Sequence, residues 1–142
     1  MTPSLRWEQI TWLSNELLRN DDTHSAICMH IYRTAPYDNN TVTSFAENVL
    51  SIVSAYNNRT EITLNGNSYN FTNCSGKIGF ILSGHIHLDE IITNVAVPII
   101  ITPNTSLKDN PVGDLVSVDW TNGVINLIRF EDGVKRTTEI VI

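Results

Sequence analysis

Long apolar runs are missing from this sequence, none approaching the roughly 20 residues a helix needs to cross a bilayer, so no membrane-spanning helix is expected. The opening stretch, MTPSLRWEQITWL, lacks the basic start and apolar core of a signal peptide. The chain therefore reads as soluble, with no compartment legible. Basic residues are scarce: nine Lys and Arg stand against fifteen acids, for a net charge of -6. They are scattered, whereas general nucleic-acid binding needs them clustered against phosphates. Cysteine is scarcer still. Cys28 and Cys74 are too far apart for a CxxC motif, and with Cys28 inside the apolar run AICM both are expected as buried thiols. Asn-x-Ser/Thr occurs at Asn39, Asn58, Asn70, Asn73 and Asn104, which chance explains as well as glycosylation in a chain so rich in Asn and Thr. There is no internal repeat, low-complexity tract or linker. With 142 residues the chain suits one domain, 1–142, and is short for two.

What is present is helical and strand patterning, with two helices in the N-terminal half and a C-terminal half that is nearly all β. Thr2-Pro3-Ser4 supplies start signals, and Ile10, Leu13 and Leu17 recur at helical spacing, predicting a helix over 5–19. Residues 25–29 are a short apolar run closed by His30 and predict a buried strand. A second helix is expected over 41–56, with Val42, Phe45, Val49, Ile52, Val53 and Tyr56 forming one apolar stripe. Residues 61–71, EITLNGNSYNF, alternate around Asn65-Gly66, a dipeptide that tolerates the positive φ of a tight turn, and predict a projecting hairpin. Strands are expected at 77–82, 88–92, 98–101, 115–120, 124–130 and 134–142, with turns at 121–123 and 131–133. The class is mixed, α+β or α/β, with two main helices and a mixed sheet.

Three of the four histidines lie just beyond apolar strands: His30 after AICM, and His85 and His87 after IGFILSG. Imidazole is a common ligand for transition metals, and functional residues in α/β proteins gather where strands end. Gly84 suits a tight backbone turn that brings the pair His85 and His87 towards one centre. A His-x-His pair alone is more often a structural or surface feature than a metal site. Asp89 and Glu90, next to the pair, read as strand-edge or solvated carboxylates.

Order adds to the motif. A helix ending in WLSNELL, a strand ending in His, a helical excursion and then strand-GHIH-LDE resemble the latter half of calcineurin-like metallophosphoesterases. QITWLSNELL resembles the family's helix before its penultimate metal motif, and VDWTNGVINLIRFEDGVKR its closing hairpin, so the resemblance covers nearly the whole chain. It implies the C-terminal half of a four-layer α/β/β/α sandwich. It further implies a dinuclear centre of two divalent ions, Mn, Fe or Zn, in which His30 and His85 bind one metal and His87 the other. The implied substrate is a phosphate ester.

The sequence departs from that family in two places. The earlier motifs, Asp-x-His, Gly-Asp-x-x-Asp and Gly-Asn-His-Asp/Glu, are absent, and with them the bridging Asp, the Asn ligand and the His that assists the leaving group. After His30 the chain reads IYRTAP, where the family commonly has proline two residues on. The expectation is a fragment or truncated product that is inactive alone and partners either the missing N-terminal half or itself, through an apolar face left by an incomplete sandwich. Residues 31–40 and the hairpin are candidates to overhang the site and select substrate. Two rivals are a non-catalytic interaction module that kept the β-rich half and a small β structural domain with incidental histidines.

Overall fold

A computed structural model describes residues 7–30, 40–84, 89–102, 113–130 and 133–142, with the side chains of 40–45 excepted. The chain is mixed α+β. Two helices, α1 (Trp7–Arg19) and α2 (Asn40–Asn58), accompany β1 (Ser25–Met29), β2 (Glu61–Leu64), β3 (Asn67–Asn70), β4 (Ile78–Ser83), β5 (Glu90–Ile92), β6 (Ile99–Ile101), β7 (Asp114–Asp119), β8 (Val124–Arg129) and β9 (Lys135–Glu139).

Each helix buries one stripe. In α1 it is Ile10, Ser14 and Leu17, and the polar member is satisfied because Ser14 Oγ donates to the Ile10 carbonyl at 3.0 Å. In α2 it is Ala46, Val49, Ile52, Val53 and Tyr56; Val42 and Phe45 lie outside the side chains described. At ~1.5–3 kcal/mol for each large apolar side chain taken from water, these stripes are a major part of what holds the helices down.

The end of α2 depends on side chains. Arg59 closes it at φ 59°, a left-handed position usually given to Gly, as Thr60 N–H reaches back to the Ala55 carbonyl at 3.0 Å. Its guanidinium donates to the carbonyls of Tyr56 at 2.7 Å, Ser75 at 2.8 Å and Gly76. Asn57 acts like a short strand: its amide donates to the Ile78 carbonyl at 2.9 Å and accepts from Ile78 N–H at 2.8 Å. The start of β4 is thereby fixed to the end of α2.

The main sheet has the order β1-β4-β6-β5. The first three strands are parallel and β5 is antiparallel to β6. Its register shifts opposite Ser25 and Ala26, where Ile78 and Phe80 are the partners and Gly79 is the extra residue. This bulge resets the alternation. Ile78 and Ile81 then both join the core under the helices, while Phe80 faces the opposite side. A Cβ on Gly79 would come within 2.5 Å of the Trp120 ring, which lies stacked against Phe80 with centroids 5.9 Å apart.

Strands β7, β8 and β9 form an antiparallel meander. Ile125, Leu127 and Ile140 pack with Phe80 and Ile100 of the main sheet, and Ile99 and Ile101 pack on the other side with the helices. The layers are thus helices, mixed sheet and antiparallel sheet. Among the described residues the main sheet is covered on both faces.

Two expectations differ from the structure. The hairpin β2–β3 has its expected turn, with Asn65 at φ 49° and Gly66 at 78°, but it does not project. Tyr69 and Phe71 are buried, and Tyr69 Oη donates to Thr11 Oγ1 of α1 at 3.2 Å. Cys74 is buried as expected, whereas Cys28 is exposed. The reason is position: β1 is an edge strand with burial alternating along it, and Ala26 and Cys28 take the exposed positions.

Candidate functional site

The parallel neighbours β1 and β4 end side by side, with Met29 opposite Ser83, and His30 and Gly84 are the next residues. Their backbones are joined: Gly84 N–H donates to the His30 carbonyl at 3.1 Å, and Ser83 Oγ donates to the same oxygen at 3.3 Å. The third parallel strand is tied in as Thr102 N–H donates to the Ser83 carbonyl at 2.9 Å. Carboxyl ends of parallel strands are where α/β folds gather ligands. Here that edge carries an exposed imidazole, His30.

His85 and His87 lie outside the described residues. A Cβ on Gly84 would lie 3.8 Å from both His30 Nδ1 and the His30 carbonyl oxygen, an ordinary van der Waals distance. Imidazole donors suit Zn and other first-row ions. Among the described residues no group of three or more His, Cys, Asp or Glu is placed to hold a metal ion. His24 belongs elsewhere: it precedes β1, at the other end of that strand, with its ring edge-on to Trp120 at 5.9 Å.

Asp89 is neither a solvated carboxylate nor a plain strand-edge one. Its Oδ2 meets Arg129 Nη2 at 2.6 Å and its Oδ1 meets Arg136 Nη1. The same two guanidiniums face Asp114, with Arg136 Nη2 2.5 Å from Oδ2 and Arg129 Nε 3.5 Å from Oδ1. Two acids and two bases make a neutral quartet, in which the Asp114 side chain is 1% exposed and those of Arg129 and Arg136 are 12% and 15% exposed. It joins the chain leading into β5 to all three strands of the meander. The sequence carried no local sign of it: KRTTE is polar at every position, and only the structure shows Arg136 half-buried there.

The hairpin is rooted at the amino end of β4, where Phe71 N–H bonds the Thr60 carbonyl, at the opposite end of that strand from His30. It is folded onto α1, so the structure gives no support to its overhanging the histidines. Residues 31–39 lie outside those described. No helix among the described residues is long and apolar enough to cross a membrane. No protein-family description matches the chain, and neither a curated protein nor a solved structure is significantly similar to it.

Proposed function

We propose that this chain provides three imidazole ligands, His30, His85 and His87, to the dinuclear metal centre of a metallophosphoesterase-type hydrolase. In this reading its helix layer, mixed sheet and antiparallel sheet are three layers of a four-layer α/β/β/α sandwich. The observation that carries it is the joining of His30 to Gly84 across the carboxyl ends of two neighbouring parallel strands, with the GHIH motif beginning at that glycine. Divalent ions bound there, Mn, Fe or Zn, supply Lewis acidity towards a phosphate ester. The protein's own part is to hold the imidazoles in place: His30 is fixed through its carbonyl by Gly84 and Ser83. A further carboxylate ligand and an acid for the leaving oxygen would come from a second polypeptide segment bearing the motifs this sequence lacks.

Zn²⁺ or Mn²⁺ titration of the purified 142-residue chain tests the ligand set. Saturable binding that weakens in His85→Ala and in His30→Ala is expected, without turnover of p-nitrophenyl phosphate by the chain alone. Absence of metal binding, or affinity unchanged in both variants, refutes the ligand assignment. Metal-dependent turnover abolished by His87→Ala refutes the need for a second segment.

A further inference from the structure

We propose that Arg129 and Arg136, held in place by Asp114, form an oxyanion-binding socket whose tethered and displaceable occupant is the Asp89 carboxylate. The ligand class is a small oxyanion, a phosphate or a carboxylate, and the inference is independent of the metal reading above. The four charges play unequal parts. Asp114 and Arg129 are directly opposed on β7 and β8, and Arg136 of β9 is opposed to Leu127 of β8. All three therefore project from one antiparallel sheet, on the face that packs Leu127 against the main sheet. The Asp114 side chain is 1% exposed and faces both guanidiniums. Asp89 is the outsider: it precedes β5 of the other sheet, lies in no strand, and has a side chain 33% exposed.

Charge and geometry both favour an anion at the place Asp89 takes. Two guanidiniums against the Asp114 carboxylate leave one positive charge, on side chains only 12% and 15% exposed. A cation so far removed from water is costly unless an anion faces it. Each Asp89 oxygen meets a different guanidinium, Oδ2 with Arg129 Nη2 at 2.6 Å and Oδ1 with Arg136 Nη1. Two oxygens carried on one atom are what carboxylates and phosphates have in common, and planar guanidiniums recognise that pair. Asp89 holds the socket by being tethered: short flexible linkage is worth an effective concentration on the order of millimolar. A phosphate dianion brings more charge to the same donors and competes in that range. Its entry is coupled to the fold, because β5 begins at the next residue, is three residues long and half-buried throughout, and among the described residues pairs only with β6. Displacing Asp89 removes the tie between β5 and the meander, so anion binding loosens β5, and loosening β5 favours the anion by the same factor.

The test is thermal unfolding of the full chain in phosphate, in acetate and in chloride at matched ionic strength. Asp89→Gly empties the socket and is expected to lower the midpoint by about 5 °C in chloride, with saturable recovery at millimolar phosphate or acetate. Phosphate also stabilises folded chains in general, so the recovery is read as the excess over Asp89→Gly combined with Arg136→Gln, in which it is expected to vanish. Asp89→Asn serves the same comparison if Asp89→Gly does not fold. In the unsubstituted chain, phosphate is expected to speed hydrogen exchange in the peptide spanning 89–93 while exchange in α2 stays unchanged, a response that a purely structural quartet does not give. Recovery no greater than in the double variant overturns the proposal, as does exchange at 89–93 that phosphate leaves unchanged.

Discussion

Replacing Asn57 tests whether β4 is held by a side chain standing in for a strand. In Asn57→Leu the branched shape of the side chain is kept, but the Ile78 carbonyl and N–H lose their partners at 2.9 and 2.8 Å. Ile78 is fully buried, which leaves water little access to either group. At ~1–3 kcal/mol for each unsatisfied buried group, the loss is ~2–6 kcal/mol, and about 3–4 is expected. This is a large share of the ~5–15 kcal/mol that holds a typical domain together. In urea at pH 7, with a slope of about 2 kcal/mol/M, the midpoint should fall by about 1.5–2 M at unchanged slope. Asn57→Asp separates the two bonds, since the introduced carboxylate still accepts from Ile78 N–H but cannot donate to the carbonyl. It should be damaging at neutral pH and approach the parent as pH falls below about 5, because protonation restores a donor. A loss under ~1 kcal/mol in Asn57→Leu, or a gap for Asn57→Asp that widens towards acid, would refute this account.

Two other expectations follow from the packing. Gly79→Ala should cost ~1–3 kcal/mol by overpacking against the Trp120 ring, 2.5 Å from the new Cβ. Adding Trp120→Leu should recover part of it, and a double-mutant cycle showing simple additivity would exclude that contact as the cause. Burial, reinforced by Asp21, pushes the Cys74 thiol above its ordinary value of 9.0, and burial, reinforced by Cys74, pushes the Tyr56 phenol above 10.0. In both cases the fold favours the protonated form. The resulting stability is complete below the unfolded values and is lost as pH rises through the folded ones. Chemical denaturation between pH 8 and 11 should show an alkaline decline that is shallower in Cys74→Ala; an identical slope would count against it.

Periodicity made most elements legible. Strand 25–29 has the expected bounds in β1, though it is half-buried and exposed in alternation rather than buried, and the Asn65-Gly66 turn has the two positive φ values its dipeptide suggests. The second helix runs from Asn40 to Asn58 where 41–56 is expected, a difference made by polar residues at its ends that the apolar stripe does not register. What pattern could not reveal arises from long-range placement. Gly79 reads as one residue of an apolar run, yet its bulge sends Ile78 and Ile81 to the same side. Cys28 reads as core, yet an edge strand has a neighbour on one side only. Asp89 reads as a loop carboxylate because its partners lie 40 and 47 positions further along the sequence, outside any local window. The His30–Gly84 junction was foreshadowed by two strands each ending in chemistry; their adjacency required the parallel pairing itself.

The exposed side of β1 has a consequence for assembly. Of the outer strands in the two larger sheets, β5 carries Glu90, β7 carries Asp114 and Asp119, and β9 carries Lys135, Arg136 and Glu139. Charges on such margins discourage another chain from pairing. The sequence of β1, SAICM, has no charge and no proline, and among the described residues β1 pairs only with β4. Polypeptide added in register to this sheet therefore meets least electrostatic resistance at β1, whether it is a functional complement or a neighbour in a concentrated solution. A single charge introduced at Cys28 would guard that margin, which makes the exposed cysteine a natural position for controlling solubility.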